Sequence, residues 1–469
     1  MGQARRETEF AGAPIGDKRL RRRLEVIGDA VAVDPQASFP DAAGSDGELE
    51  GLYRFLNNPR VDAAAIVQPH IEATARRAAE RTIAVVHDTT AFTFEGAPGE
   101  CLGFIPTTTQ RGFWGHFALA VGDQGDALGV LGTETIFFEQ RTRGVIRRNR
   151  SAAAKMYAKR IDKASLRWDR MVETVRARLP TSCAAIHVMD READNYRLFA
   201  AMVSSGERFI VRARHERRPA RSTDDEAWEP LEDVAKSGSY VCEREVSLSR
   251  RRRRAGLNAT HGSRDARMAR LRVTATPASI KKPRGIAATP SSLPLNLVRV
   301  HELDAPEGAE PVEWLLLTTE SIDGQHDVER IVDWYRRRWV IEEFFRALKT
   351  GCAYERRQFE SRGAILRTLS LLTPIAWQIL QLRDEARRLP ARPARAVMRA
   401  SQLAVLRAIS KTKLQKAPSV HEALLAVAAQ GGHLRRNGAP GWQTLGRGLE
   451  KIWWAELGYL AALQEQATK

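Results

Sequence analysis

The chain has 469 residues, 43% of them hydrophobic and 28% charged, too many for one ordinary core and the composition of a soluble protein of two or three domains. Lys and Arg number 74 against 57 Asp and Glu, for a formal charge of +17. That excess favours a polyanionic partner, nucleic acid first, because neutralising phosphates releases condensed counterions. The opening residues MGQARRETEF lack the apolar centre of a signal peptide. The most apolar long stretch, residues 364–382, carries Arg367, Pro374, Gln378 and Gln381 and reads as buried helix rather than a membrane span. No membrane partner is expected. Cys101, Cys183, Cys242 and Cys352 have no paired metal spacing and fit isolated thiols of a reducing cytoplasm.

Residues 14–70 read as polar helices. Gly16-Asp17 precedes Lys18, Arg19, Arg21, Arg22 and Arg23, with Leu20, Leu24 and Ile27 at helical spacing, and residues 48–56 form a second segment stopped by Asn57-Asn58-Pro59. A strand is expected over 82–86, ending at His87-Asp88, and two more over 117–121 and 127–131. A helix over 151–178 and a strand over 184–189 follow, with Asp190 directly after it. Strands bounding a long helix imply a mixed α/β core. Residues 208–320 look β-rich, with strands at 209–211, 239–246, 271–275, 295–300 and 314–317. The five arginines at 250–254 read as a solvated loop or a phosphate contact. Beyond 375 the chain is helical and basic, broken at Pro390 and Pro393.

Residues 331–352, IVDWYRRRWVIEEFFRALKTGC, carry no Pro and have Gly only at 351, as a helix with its stop would. In a continuous helix Tyr335, Arg338, Glu342 and Lys349 fall at about 0°, −60°, −20° and −40°. Trp334, Ile341, Phe344, Phe345 and Leu348 supply apolar surface beside and behind that face. One acid among two bases and a phenol suits an anion: Arg forks onto phosphate, Lys offers a point charge, and Glu can hold a metal that the phosphate also touches. A surface helix with an Arg338–Glu342 pair accounts for the same spacing. Asp88 and Asp190 each follow an apolar strand, where α/β sheets place functional groups, and equally where Asp caps a turn. Three gathered carboxylates would repel by about 4 kcal/mol per pair at 4 Å and imply a metal or shifted protonation. Intervals of 102 and 152 residues leave open whether they meet.

Together these segments resemble the bacterial cut-and-paste DDE transposases of the transposon-five and insertion-sequence type. Tyr335, Arg338, Glu342 and Lys349 match that family's Tyr-x2-Arg-x3-Glu-x6-Lys signature, Arg338 to Phe344 its Arg-Trp-x-Ile-Glu-Glu-Phe run, Asp190 to Asp194 its Asp-Arg-Glu-Ala-Asp, and Asp88 to Thr90 its Asp-Thr-Thr. Weaker echoes include Tyr53-Arg54-Phe55, Arg111-Gly112 with Trp114 and His116, and Phe209 to Arg212.

The resemblance implies a ribonuclease-H-like core in which Asp88, Asp190 and Glu342 bind two Mg²⁺ ions (Mn²⁺ as an alternative). Tyr335, Arg338, Lys349 and Arg346 would hold phosphates of the transposon end, Arg212 would contact the opening end, and Trp314 would stack a flipped base. It divides the chain into end-binding helices at 1–70, a catalytic domain at 71–375 with a β-rich insertion at about 213–320, and a helical dimerisation domain at 376–469. By the same resemblance, end DNA would be cut, pass through a hairpin intermediate and be joined to target DNA by a homodimer in the bacterial cytoplasm. Arg346 stands where the family has Lys, Phe345 replaces a polar residue and Leu348 a Trp. The rivals are a nuclease on the same fold, and an inactive or repurposed transposase acting as a DNA-binding regulator.

Overall fold

The computed structural model describes residues 9–33, 35, 38–43, 45–94, 101–106, 110–138, 166–222, 227–248, 265–286, 290–410, 414–434 and 440–467. Among the described residues four helices come first: α1 (Lys18–Val33), α2 (Phe39–Ala42), α3 (Asp46–Leu56) and α4 (Ala63–Ala78). α1 follows Asp17, whose carboxylate accepts the Arg19 N–H at 2.7 Å and satisfies one of the donors a helix start leaves open. Its Leu24, Ile27 and Val31 recur at helical spacing and are buried, while Lys18 and Arg19 face solvent. Ser45 caps α3 at the Glu48 N–H, and Asp62 caps α4 at the Ala64 N–H.

Twelve strands among the described residues then form one mixed sheet: β1 (Thr82–Thr93), β2 (Gly103–Phe104), β3 (Arg111–Gly122), β4 (Ala127–Ile136), β5 (Ala184–Met189), β6 (Arg208–Arg212), β7 (Pro219–Ser222), β8 (Glu229–Pro230), β9 (Ser239–Leu248), β10 (Arg267–Lys281), β11 (Ser292–Glu302) and β12 (Glu313–Thr318). The sheet runs β2-β3-β1-β5-β6-β12-β11-β10-β7-β8, with β4 on β3 and β9 on β10. β1, β5 and β6 are parallel and their neighbours antiparallel. Between the strands lie α5 (Arg167–Arg178), α6 (Tyr196–Ser204) and α7 (Leu231–Lys236). The β-rich stretch thus continues the catalytic sheet through β6 and β12. Two short strands, β7 and β8, and helix α7 were not expected from sequence, since each is too short to show a period.

Alternation along the central strands gives the sheet two apolar faces. Ala84, Val86, Ile186 and Val188 join one core with Phe117 and the helices that follow the sheet. Ile83, Val85, Ala118 and Ala120 point the other way, toward Met171 and Val175 of α5. The expected helix over 151–178 is seen as α5 from Arg167; its first part, and the arginines at 250–254, lie outside the described residues.

After β12 come α8 (Gln325–Arg336), α9 (Trp339–Arg346), α10 (Arg362–Arg388), α11 (Ala400–Ile409), α12 (Val420–Gln430) and α13 (Trp442–Ala467). α10 is long and apolar enough to cross a membrane by length and composition, but most of its apolar window is packed inside the protein. Its Trp377 Nε1 donates to the Ala127 carbonyl at 2.9 Å. Position 375 lies inside α10, which runs from the sheet core into a second cluster formed with α11, α12 and α13.

In that cluster backbones touch. A Cβ on Gly448 of α13 would lie 1.8 Å from the Val427 carbonyl oxygen of α12, and one on Gly431 1.8 Å from that of Thr444. Gly448→Ala must therefore push the two helices apart, at a cost of about 1–3 kcal/mol. Hydrogen exchange should show α12 and α13 amides losing protection while β1 and β5 keep theirs; unchanged protection in α12 would contradict the close packing.

Candidate active site

Asp88 and Asp190 come from neighbouring parallel strands. β1 and β5 pair with Val86 opposite Val188. Each Asp lies two residues further on, so both emerge at one level and on the same face of the sheet. Asp88 is not at a strand end, as the loss of apolar residues suggested. β1 continues to Thr93 because its polar second half stays paired with β3, placing Asp88 opposite Phe117. The Asp88 carboxylate accepts the Thr89 N–H at 2.7 Å. Asp190 follows β5 directly and also caps: one oxygen accepts the Glu192 N–H at 2.9 Å, opening a short turn at Arg191–Ala193. Capping uses one oxygen and leaves the other free for a ligand.

Glu342 arrives from the opposite side. Phe344 and Phe345 of α9 set their rings 5.6 and 5.5 Å from Phe117, the strand partner of Asp88. The apolar half of α9 thereby holds its acidic half beside β1. Arg338 joins the two carboxylates, with Nη1 3.3 Å from Asp88 Oδ2 and Nη2 2.9 Å from Glu342 Oε1. Its side chain is only 11% exposed.

The helix expected over 331–352 is not continuous. Arg337 shares its N–H between the Asp333 and Trp334 carbonyls, and the Arg338 N–H reaches Tyr335, a tightened turn that separates α8 from α9. After α9 the backbone widens over Ala347–Gly351, where the Cys352 N–H donates to the Ala347 carbonyl at 2.8 Å. A single helical face therefore does not describe the four signature residues. Arg338 and Glu342 remain paired across the start of α9. Lys349 is carried to β1, where Nζ donates to the Ala91 carbonyl and sits 3.7 Å from Glu355.

Tyr335 is buried and meets Trp314 edge-on at 5.3 Å. Arg212 on β6 donates to the Glu313 carbonyl at 2.7 Å, and its guanidinium and that of Arg338 both face the Tyr335 phenol. Arg346 is set apart: it pairs with Glu343, which also takes Arg383. The structure therefore brings Asp88, Asp190, Glu342, Arg338, Tyr335, Arg212 and Trp314 to one neighbourhood, with Lys349 three residues along β1 and Arg346 outside.

Burial, reinforced by the neighbouring Asp190 charge, pushes the Asp88 carboxyl up to about 7; Arg338 and the Thr89 N–H oppose this. Burial would lower the Arg338 guanidinium, but Tyr335, Asp88, Glu342 and Asp190 together hold it above its ordinary value. This is a pocket of negative charge in which Arg338 is the cation paired directly with two of the acids. Carboxylate oxygens are the donors hard divalent ions require, and Arg338 lies where positive charge is needed, so the residues fit such an ion. Among the described residues no three His, Cys, Asp or Glu side chains are grouped closely enough to hold one as they stand.

Behind the carboxylates, on the other sheet face, lies a layer that the sequence reading missed. His87 Nε2 and His187 Nδ1 are 2.8 Å apart, and His116 Nδ1 is 2.9 Å from Thr89 Oγ1. Buried Arg167 donates to Thr89 Oγ1 at 2.8 Å and to Glu192 at 2.7 Å, tying the strand of Asp88 to the turn after Asp190. The available signal was alternation, since His87 and His187 occupy inward positions of apolar strands. Trp339, beside Arg338, is 54% exposed at the site.

Residues 166–376 match the family described as Transposase DDE domain, and residues 3–61 that described as Transposase DNA-binding. The chain is a DDE-type transposase. The DDE match spans Asp190 and Glu342 with all the other signature residues, while Asp88 precedes it; the DNA-binding match takes in α1, α2 and α3. The mixed sheet flanked by helices is the ribonuclease-H-like fold of such transposases. Among solved structures, the cryo-EM piggyBac transposase synaptic complex with hairpin DNA is similar at 11% identity and a TM-score of 0.36, over 93% of this chain and 76% of that one. As a DDE enzyme the transposase depends on divalent metal and acts on DNA.

Proposed function

We propose that this transposase is of the bacterial cut-and-paste type, cutting its own element's ends and joining them to target DNA. The observation that carries the reading is the convergence of acids: Asp88 and Asp190 in register on parallel strands, with Glu342 joined to Asp88 through Arg338. In the proposal these three carboxylates hold two Mg²⁺ ions, or Mn²⁺ in their place. Bound there, the metal supplies Lewis acidity toward water or 3′-OH and neutralises charge on the transferred phosphoryl group.

The protein's own groups position the DNA. Arg338 can fork onto a phosphate, and Lys349 and Arg212 add positive charge on either side of the Asp pair. The Tyr335 hydroxyl can donate to a phosphate oxygen. Trp314, half-buried against Tyr335, offers an indole on which an unpaired base could stack. Arg346 would serve a DNA strand only from the outer side of α9. The reaction proposed is hydrolysis at the element end, attack of the freed 3′-OH on the opposite strand to give a hairpin, its opening by water, and attack on target DNA. The division into end-binding 1–70, catalytic 71–375 and dimerising 376–469 belongs to the same proposal, as do a homodimer and a cytoplasmic, nucleoid-associated location.

The test uses a duplex carrying the inverted repeat that flanks the gene. Hairpin and strand-joined products in Mg²⁺ are expected. Cleavage without joining would make the protein a nuclease; binding with no cutting in Mg²⁺ or Mn²⁺ would make it a DNA-binding regulator.

A further inference from the structure

We propose that Arg338 is an internal counter-ion that locks the acidic centre until DNA arrives, so that end DNA and divalent metal bind cooperatively. This rests on the carboxylates being the metal site. Arg338 places one guanidinium nitrogen on Asp88 and another on Glu342. Its remaining nitrogen, Nε, is buried with no hydrogen-bond partner, so the group is held by charge while one of its donors stays unsatisfied. Its fork therefore spans two of the acids and competes directly with any cation for them. With Arg338 in that position, no three acidic or imidazole side chains among the described residues form a group able to hold an ion.

A phosphodiester offers the guanidinium what the carboxylates offer, two oxygens and a negative charge, in bidentate geometry. The move required is small in backbone terms. Arg338 stands at the break between α8 and α9, next to the exposed Trp339, where a change of direction does not disrupt a continuous helix. A DNA phosphate reaching Arg338 would draw it from Asp88 and Glu342 and leave both carboxylates to the metal. Without DNA the site is then partly neutralised from within and binds metal weakly, which withholds hydrolysis until a substrate is seated. By linkage, metal must raise DNA affinity by the same factor as DNA raises metal affinity.

The experiment is Mn²⁺ binding to the full-length protein, by calorimetry and by the electron paramagnetic resonance of free Mn²⁺, with and without the terminal-repeat duplex. An opposite charge within a few ångströms changes a carboxylate's cation affinity by about one to three powers of ten. In the DNA-free state Arg338→Met should therefore bind Mn²⁺ at least about tenfold more tightly than wild type. DNA should tighten Mn²⁺ binding by a larger factor in wild type than in the variant, where only the phosphate's own contact with the metal remains. Arg338→Lys keeps the charge without the fork and should fall between them; circular dichroism confirms that each variant is folded. If Arg338→Met binds Mn²⁺ no better than wild type, the lock is refuted while the metal reading stands. If Mn²⁺ binding survives Asp88→Asn unchanged, or is absent from wild type even with DNA, the metal reading fails and the lock with it.

Discussion

Asp190→Asn is expected to abolish DNA cleavage, by at least about a thousandfold, while leaving the fold and DNA binding intact. The separation of effects follows from how Asp190 is used. The oxygen that caps Arg191–Ala193 accepts a backbone N–H, and an Asn side-chain carbonyl accepts it equally well. What is lost is the negative charge facing Asp88, and with it a metal ligand. Single-turnover cleavage, gel-shift binding and a thermal melt on the same preparation separate the three quantities. Asp194, four residues on, is the control. It is buried, accepts the Arg214 and His215 N–H groups at 2.7 and 3.0 Å, and pairs with Arg218. Asp194→Asn should therefore lower the melting temperature, because it leaves Arg218 buried without a counter-ion. Full cleavage by Asp190→Asn would contradict the assignment.

The second large effect is expected far from the site. Glu9 is fully buried, and its carboxylate accepts from Arg77 at 2.8 Å and from His70. His70 Nε2 accepts the Val130 N–H at 3.0 Å, so Nδ1 carries the proton toward Glu9. Arg77 also donates to the Leu128 carbonyl at 2.7 Å and lies 4.2 Å over the Trp377 ring. The cluster pins residues just ahead of the DNA-binding helices to α4, β4 and α10. Glu9→Gln removes the buried negative charge that both Arg77 and His70 face, so it should cost about 3–5 kcal/mol of stability. Chemical denaturation measures this directly, and a loss within experimental error would contradict it.

The same cluster sets an acid limit. Burial lowers the His70 pKa below 6.5, overcoming Glu9. Although burial alone would raise Glu9, His70 and Arg77 lower it below 4.5. Both groups are therefore depressed in the folded state. As pH falls through about 6.5 the unfolded chain takes up a proton that folded His70 refuses, and stability declines by up to ~1.4 kcal/mol per pH unit. Below about 4.5 the unfolded Glu9 adds to the loss. Above 6.5 the contribution is complete, so melts between pH 7 and 5 should show the decline. A flat profile would mean that folding leaves the proton affinity of His70 unchanged, and stability rising toward pH 5 would mean that His70 is protonated in the fold; either would contradict the account.

Much of this was legible in the residues. Val85, Val86 and the run Ala184–Met189 announced two strands because buried parallel strands are continuous apolar runs, and the acids after them marked the site. The polar second half of β1 hid its own extent: Asp88, Thr89 and Thr90 look like a strand end, yet pairing with β3 carries the backbone on to Thr93. The break at Arg337–Arg338 was equally hidden. Neither Pro nor Gly marks it, and it arises from packing α9 onto Phe117 while α8 keeps Trp334 and Tyr335 buried. Arg167 could not be found by spacing, since only the fold brings it between Thr89 and Glu192. The family signature supplied what periodicity could not, namely which acids belong together.

The most direct test of the account is the anomalous diffraction of Mn²⁺ in crystals of the transposase with its terminal-repeat duplex. Mn²⁺ density is expected in contact with Asp88, Asp190 and Glu342, with Arg338 turned away onto a DNA phosphate. Mn²⁺ bound elsewhere, with the three carboxylates unmetallated beside a correctly seated DNA end, would contradict it.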